Sequence, residues 1–141
     1  MINVNMSRWL SNALTIFSIL FIFYMTILPH SELGIGVSKG FINLNPFLIF
    51  NQGLTYSSLV VNDFGNILLF VPFGFFLSIR FPQLKLSRVV LFGCLLSITI
   101  ECIQLFMANR CTDIDDVILN TLGAFVGYLV WVGVRWQMNR E

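Results

Sequence analysis

The chain has 141 residues, of which 57% are hydrophobic and only 11% charged, with a mean hydropathy of +0.84 and a formal net charge of +1. Such apolarity lies outside the range of soluble globular domains and belongs to chains solvated by hydrocarbon. The near-neutral balance, with no basic face and no interleaving of basic and aromatic residues, argues against nucleic acid as a partner.

Four stretches approach the roughly 20 residues that a helix needs to cross a bilayer. They are Leu10–Leu28, Phe64–Phe81, Val89–Met107 and Val117–Trp136. None alternates with the period of a barrel strand, so helices, which satisfy their backbone internally, are expected. The predicted fold is all-α: a polytopic membrane protein with four transmembrane helices in a single domain, residues 1–141. Arg8 ahead of the first run resembles the start of a signal peptide. The run is too long for one, however, and Ile27-Leu28-Pro29-His30 lacks a small-x-small cleavage pattern, so a first transmembrane helix is expected.

Between the first two runs lies a long connection in which Gly34, Gly36 and Gly40 disfavour continuous helix. Within it the apolar stretch from Phe41 to Phe50 is too short to span, and Pro46 restricts both itself and Asn45. A re-entrant or interfacial segment is expected over residues 41–50. In the second run, Pro72 should bend the helix by freeing a carbonyl near Leu68. Gly123 and Gly127 form a small-xxx-small pair that permits close helix approach, and Gly65 and Gly74 are expected to permit it on the second run.

Basic residues in short connections resist translocation and so orient a membrane protein. Arg8, Arg80, Lys85, Arg88, Arg135 and Arg140 fall at ends that are expected to face the cytoplasm, together with both termini. Glu32, Asp63, Asp113, Asp115 and Asp116 fall in the two outer connections with Lys39 and Arg110, and Glu101 lies near the outer end of the third run.

Cys94 and Cys102 lie on one helix, about 12 Å apart at 1.5 Å per residue, too far for a disulfide. Cys111 is a lone loop cysteine, and neither it nor His30 completes a zinc-type spacing. The stronger signal is a set of polar residues interrupting the apolar runs at similar depth. Asn66 starts the second run, Glu101 and Gln104 share a face of the third, and Asp113, Asp116 and Asn120 recur at helical spacing around the start of the fourth. A carboxylate in lipid is costly, so Glu101 should face the bundle interior or an aqueous cavity, with Arg110 as its expected counter-ion and Asp113, Asp115 and Asp116 as competitors for that charge. The purely structural alternative is a set of helix caps, salt bridges and interhelical hydrogen bonds.

The sequence from Asp63 to Gly74 (DFGNILLFVPFG), Ser97 followed by Ile100–Gln104 (IECIQ), Arg110–Gly123 (RCTDIDDVILNTLG) and Gly127 resembles the VanZ-like family of bacterial membrane proteins. The family's upstream asparagine-leucine-x-proline-phenylalanine signature is matched by Asn43–Phe47, so the resemblance covers roughly Asn43 to Gly127. It implies a membrane domain whose founding member confers teicoplanin resistance, with other members in cell-envelope functions. No reaction is securely attached to it.

Three functional expectations follow. One is action at the outer face of a bacterial plasma membrane, on or with an envelope lipid or lipid-linked wall precursor, lowering susceptibility to teicoplanin-type glycopeptides. A second is a membrane-embedded enzyme with Glu101 as acid or base, catalytic partners Arg110, Asp113 and Asp116, and ligand-orienting Asn43, Asn66, Gln104 and Asn120. Asp113 and Asp116 are also candidate ligands for Mg²⁺ or Ca²⁺, hard cations that choose oxygen, although acidic spacing alone does not separate a metal site from a capped helix. The third is a non-catalytic lipid-binding or scaffold protein, in which Arg110 could contact a phosphate.

Overall fold

In the computed structural model the described residues are 7–28, 42–46, 64–107, 110 and 112–140. The chain is mostly helical: α1 (Arg8–Ile27), α2 (Phe64–Arg80), α3 (Leu86–Gln104) and α4 (Ile114–Met138), with the two-residue strands β1 (Ile42–Asn43) and β2 (Thr112–Asp113). Helices α1, α3 and α4, of 20, 19 and 25 residues, are long and apolar enough to cross a membrane. The fourth, α2, is equally apolar but has 17 residues. At 1.5 Å rise it is about 25 Å long, at the short limit of a spanning helix.

The helix ends differ from those that hydropathy predicts, for local reasons. Helix α3 begins at Leu86 and closes at Gln104, ahead of Met107, as Leu105 and Phe106 turn back onto Glu101 and Ile103. Helix α4 starts three residues before Val117 because Asp113 is its N-cap, the Asp113 carboxylate accepting from the amide of Asp115 at 2.9 Å. Asp115 and Asp116 then fill the first turn, where the helix dipole favours negative charge. Helix α2 runs through Pro72 without interruption.

Apolar surface gains little by leaving lipid for a helix neighbour, so membrane bundles rely on close packing and on satisfied polar groups. The closest contact joins α2 to α4, which run parallel. A Cβ at Gly123 would overlap the carbonyl of Ile67, one at Gly127 the carbonyl of Val71, and one at Gly74 the carbonyl of Ala124. Gly65, expected to act likewise, has nothing among the described residues within 4 Å of the place its Cβ would take. Helix α3 crosses the same pair in the opposite direction, with Gly93 against Ala124. Phe70, Phe73, Leu77, Val89 and Ile100 fill the space between, with Ile22 of α1.

Helix α1 buries a stripe of Ser11, Thr15, Ser18 and Ile22. Its hydroxyls are satisfied within the helix: Thr15 donates to the carbonyl of Ser11 and Ser18 to that of Thr15, both at 2.8 Å. That is how a polar stripe can lie inside an apolar bundle.

Charge is divided between the two ends of the bundle. Arg8, Arg80, Lys85, Arg88, Arg135 and Arg140 lie where α1 and α3 begin and where α2 and α4 finish. At the other end, among the described residues, lie Glu101, Asp113, Asp115 and Asp116, with Arg110 as the one basic residue described there. Residues 29–41, 47–63 and 111, which include His30, Glu32, Lys39, Asp63, Cys111 and most of the apolar stretch 41–50, are outside the described set. Cys94 and Cys102 are free thiols.

Candidate functional site

The acidic end is built where the last turns of α1 and α3 meet the first turns of α2 and α4. Strand β1 pairs in parallel with β2, Ile42 opposite Thr112 and Asn43 opposite Asp113. Asn43 is buried, and its amide nitrogen donates to Asp113 Oδ1 at 2.9 Å while its oxygen accepts from the amide of Asn45 at 3.0 Å. Asp113 Oδ1 thus serves both the α4 cap and Asn43. The backbone N–H of Asp113 donates in turn to Glu101 Oε2, at 2.9 Å.

Glu101 is 6% exposed, one turn from the end of α3. Three residues on, Gln104 is also buried and donates through Nε2 to the carbonyl of Thr26 at 3.0 Å. Arg110 is buried as well and donates from Nη2 to the carbonyl of Leu28. The last carbonyls of a helix have no intrahelical partner. Gln104 and Arg110 supply donors to two backbone carbonyls at the end of α1.

The expected role of Arg110 as counter-ion to Glu101 is therefore not the geometry observed. Among the described residues the hydrogen bond to Glu101 comes from the Asp113 backbone, and the guanidinium turns to Leu28. A main-chain N–H at close range relieves a buried carboxylate without a second charge.

On the α2 side, Asn66 Nδ2 donates to Asp116 Oδ1 at 2.6 Å. One helical turn deeper, Asn120, 2% exposed, donates through Nδ2 to Ser97 Oγ at 2.8 Å and so joins α4 to α3. The oxygen of each of these two amides is left over: Gln104 Oε1 and Asn120 Oδ1 are buried and, among the described residues, have no hydrogen-bond partner. An orphaned buried acceptor costs about 1–3 kcal/mol, so each marks a place where a donor from water or a ligand would be favourable.

All eight residues singled out from the sequence, Asn43, Asn66, Glu101, Gln104, Arg110, Asp113, Asp116 and Asn120, lie at this end. Sequence reasoning gave Asp115 only a structural part, as a helix cap or rival partner for Arg110, and Ser97 only a place in the family motif, and both are buried here. Ser97 was detectable as the lower member of a stripe with Glu101 and Gln104, four and seven residues on along α3. For Mg²⁺ or Ca²⁺ the fit is poor. The Asp113 and Asp116 carboxylates already accept from Asn43, Asp115 and Asn66, and among the described residues no three His, Cys, Asp or Glu side chains are grouped to hold a metal.

Apolar helices closed by a buried polar layer at one end define a small helical membrane protein with a polar site inside its bundle. The chain belongs to the VanZ/LLP1 family, whose profile matches residues 15–135. It is 37% identical over 76 residues to Protein VanZ of Enterococcus faecium. That alignment takes in 54% of this chain and 47% of the relative, so the chain matches about half the relative's length. No solved structure matches.

Proposed function

We propose that this protein acts at the outer face of a bacterial plasma membrane, on or with a cell-envelope lipid or lipid-linked wall precursor, and thereby lowers susceptibility to teicoplanin-type glycopeptides. The carrying observation is the buried polar end. Glu101 is held at one oxygen, and Gln104 Oε1 and Asn120 Oδ1 belong to the same buried end as acceptors without donors among the described residues. Packing needs no such unsatisfied groups, and intramembrane carboxylates mark functional positions. The outer placement is supported by the charge division, since a basic end is retained in the cytoplasm, and with it both termini. The envelope role is supported by the VanZ relative and by family membership.

The test is an isogenic deletion complemented by the native chain and by Glu101→Gln. The deletion strain should become more sensitive to teicoplanin, and the native chain should restore tolerance. Unchanged susceptibility to teicoplanin and to other envelope-active agents would defeat the reading.

The half-engaged carboxylate of Glu101 favours a second version, in which it acts as acid or base on the bound amphiphile and Asn66, Gln104 and Asn120 orient it. The non-catalytic version has the same residues retain a lipid unchanged. Mass spectrometry of envelope lipids incubated with purified protein in bilayers separates the two, because only an enzyme yields a converted product.

A further inference from the structure

From the middle of the bundle to its basic end, α1, α2 and α3 leave a cleft of about 430 Å³ between them. It is lined by Ile19, Phe73, Leu77, Phe81, Phe92 and Leu96, with Thr15 and Leu84. Thr15, its one hydroxyl, already donates to the carbonyl of Ser11, so the walls offer hydrocarbon and no free donor. A volume of this size falls in the range of about 300–1,000 Å³ typical of pockets for small ligands. Phe92 is exposed at the rim, which places the opening on the side of the bundle that faces lipid.

One wall runs straight into charge. Phe81 and Leu84 belong to the turn between α2 and α3, closed by a 2.9 Å hydrogen bond from the Leu84 amide to the Phe81 carbonyl. Arg80 precedes Phe81, with its guanidinium over that ring at 4.5 Å, and Lys85 follows Leu84. Lys85 and Arg88 are exposed, and neither α1 nor α3 has an acidic residue in its first turn here. An apolar slot leading to a basic rim complements an anionic amphiphile with a single chain to bury, and a zwitterionic one less well.

We propose that the cleft holds one acyl chain of an anionic phospholipid, its phosphate resting against Lys85 and Arg88. This site lies between the polar layer and the basic end and uses none of the polar layer's residues. It would fix α1 to the bundle where protein contacts leave a gap.

The experiment uses the full chain, purified and delipidated, with phosphatidylglycerol and phosphatidylcholine of identical chains compared by native mass spectrometry. The native protein should retain one phosphatidylglycerol about tenfold more tightly than phosphatidylcholine. Lys85→Gln with Arg88→Gln should abolish that preference while leaving chain-dependent retention, and Leu96→Trp should remove retention of both by filling the slot. Equal retention of the two lipids by the native protein, or undiminished retention by a folded Leu96→Trp, would overturn the proposal. Should Leu96→Trp fail to fold, Phe92→Trp at the exposed rim decides. Phosphatidylglycerol brominated on its chain should quench its fluorescence beyond that of the native tryptophans, and no excess quenching would refute the site.

Discussion

The amide of Asp113 donates to the carboxylate of Glu101 across 2.9 Å, so the last turn of α3 is fastened to the residue that caps α4. One aspartate thereby orders two helix ends: its side chain caps its own helix and its backbone receives the neighbour's carboxylate.

Glutamine at position 101 keeps an oxygen for that bond and loses only the charge, whereas alanine loses both. Glu101→Ala should destabilise the protein by about 1–3 kcal/mol through the orphaned Asp113 N–H. Glu101→Gln should accumulate near the native level and yet fail to restore glycopeptide tolerance. Thermal unfolding in detergent, alongside susceptibility of the complemented strain, checks both halves.

Arg110→Ala should lower protein abundance, since it removes the donor to the Leu28 carbonyl from a buried site. Were the guanidinium chiefly the counter-ion of Glu101, adding Glu101→Gln would rescue abundance by removing an unpaired charge, which costs roughly 3–5 kcal/mol when buried. The observed geometry predicts no rescue. Immunoblots of membranes from the single and double variants distinguish the outcomes.

The α2–α4 contact predicts opposite behaviour for glycines in one chain. Gly123→Ala and Gly74→Ala, whose Cβ atoms would strike backbone carbonyls of the facing helix, should each cost about 1–3 kcal/mol. Gly65→Ala and Gly133→Ala meet nothing within 4 Å and replace glycine by a better helix former, for a gain of up to about 1 kcal/mol. Unfolding midpoints of the four variants provide the measurement.

Asn120 and Ser97 form an interhelical hydrogen bond inside the bundle. In membrane proteins such bonds couple by about 0.6 kcal/mol on average and up to about 1.7. A double-mutant cycle of Asn120→Ala and Ser97→Ala should return a value in that window. Zero coupling would mean that the pair does not hold α3 to α4.

Hydropathy revealed the helices because polar backbone in lipid must be satisfied within a segment. It misjudged their ends because it registers side chains and not hydrogen bonds. Leu105-Phe106-Met107 continues the apolar run after α3 has closed, and Asp113, Asp115 and Asp116 look like loop although they cap and start α4. Asn66, Glu101, Gln104 and Asn120 stood out for the same reason as the helices: each is a polar group where lipid would penalise one. Their partners were harder to foresee. The acceptors for Gln104 and Arg110 are backbone carbonyls, and the donor to Glu101 is a backbone amide, none of which has a letter in the sequence. The cleft was equally hidden, since Phe92 and Leu96 read alike whether neighbouring helices touch or part.

Helix α1 is pinned near both ends, by Arg80 to Asn12 at one and by Gln104 to the carbonyl of Thr26 at the other, and stands away from α3 between them. A beam fixed at two points has a set length and phase. One residue inserted between Asn12 and Thr26 would add about 1.5 Å and turn one attachment by about 100° relative to the other. The outward-facing side chains along this stretch can therefore vary, while its residue count cannot: beyond burying its stripe, α1 is a spacer whose length is specified by the distance between its two attachments.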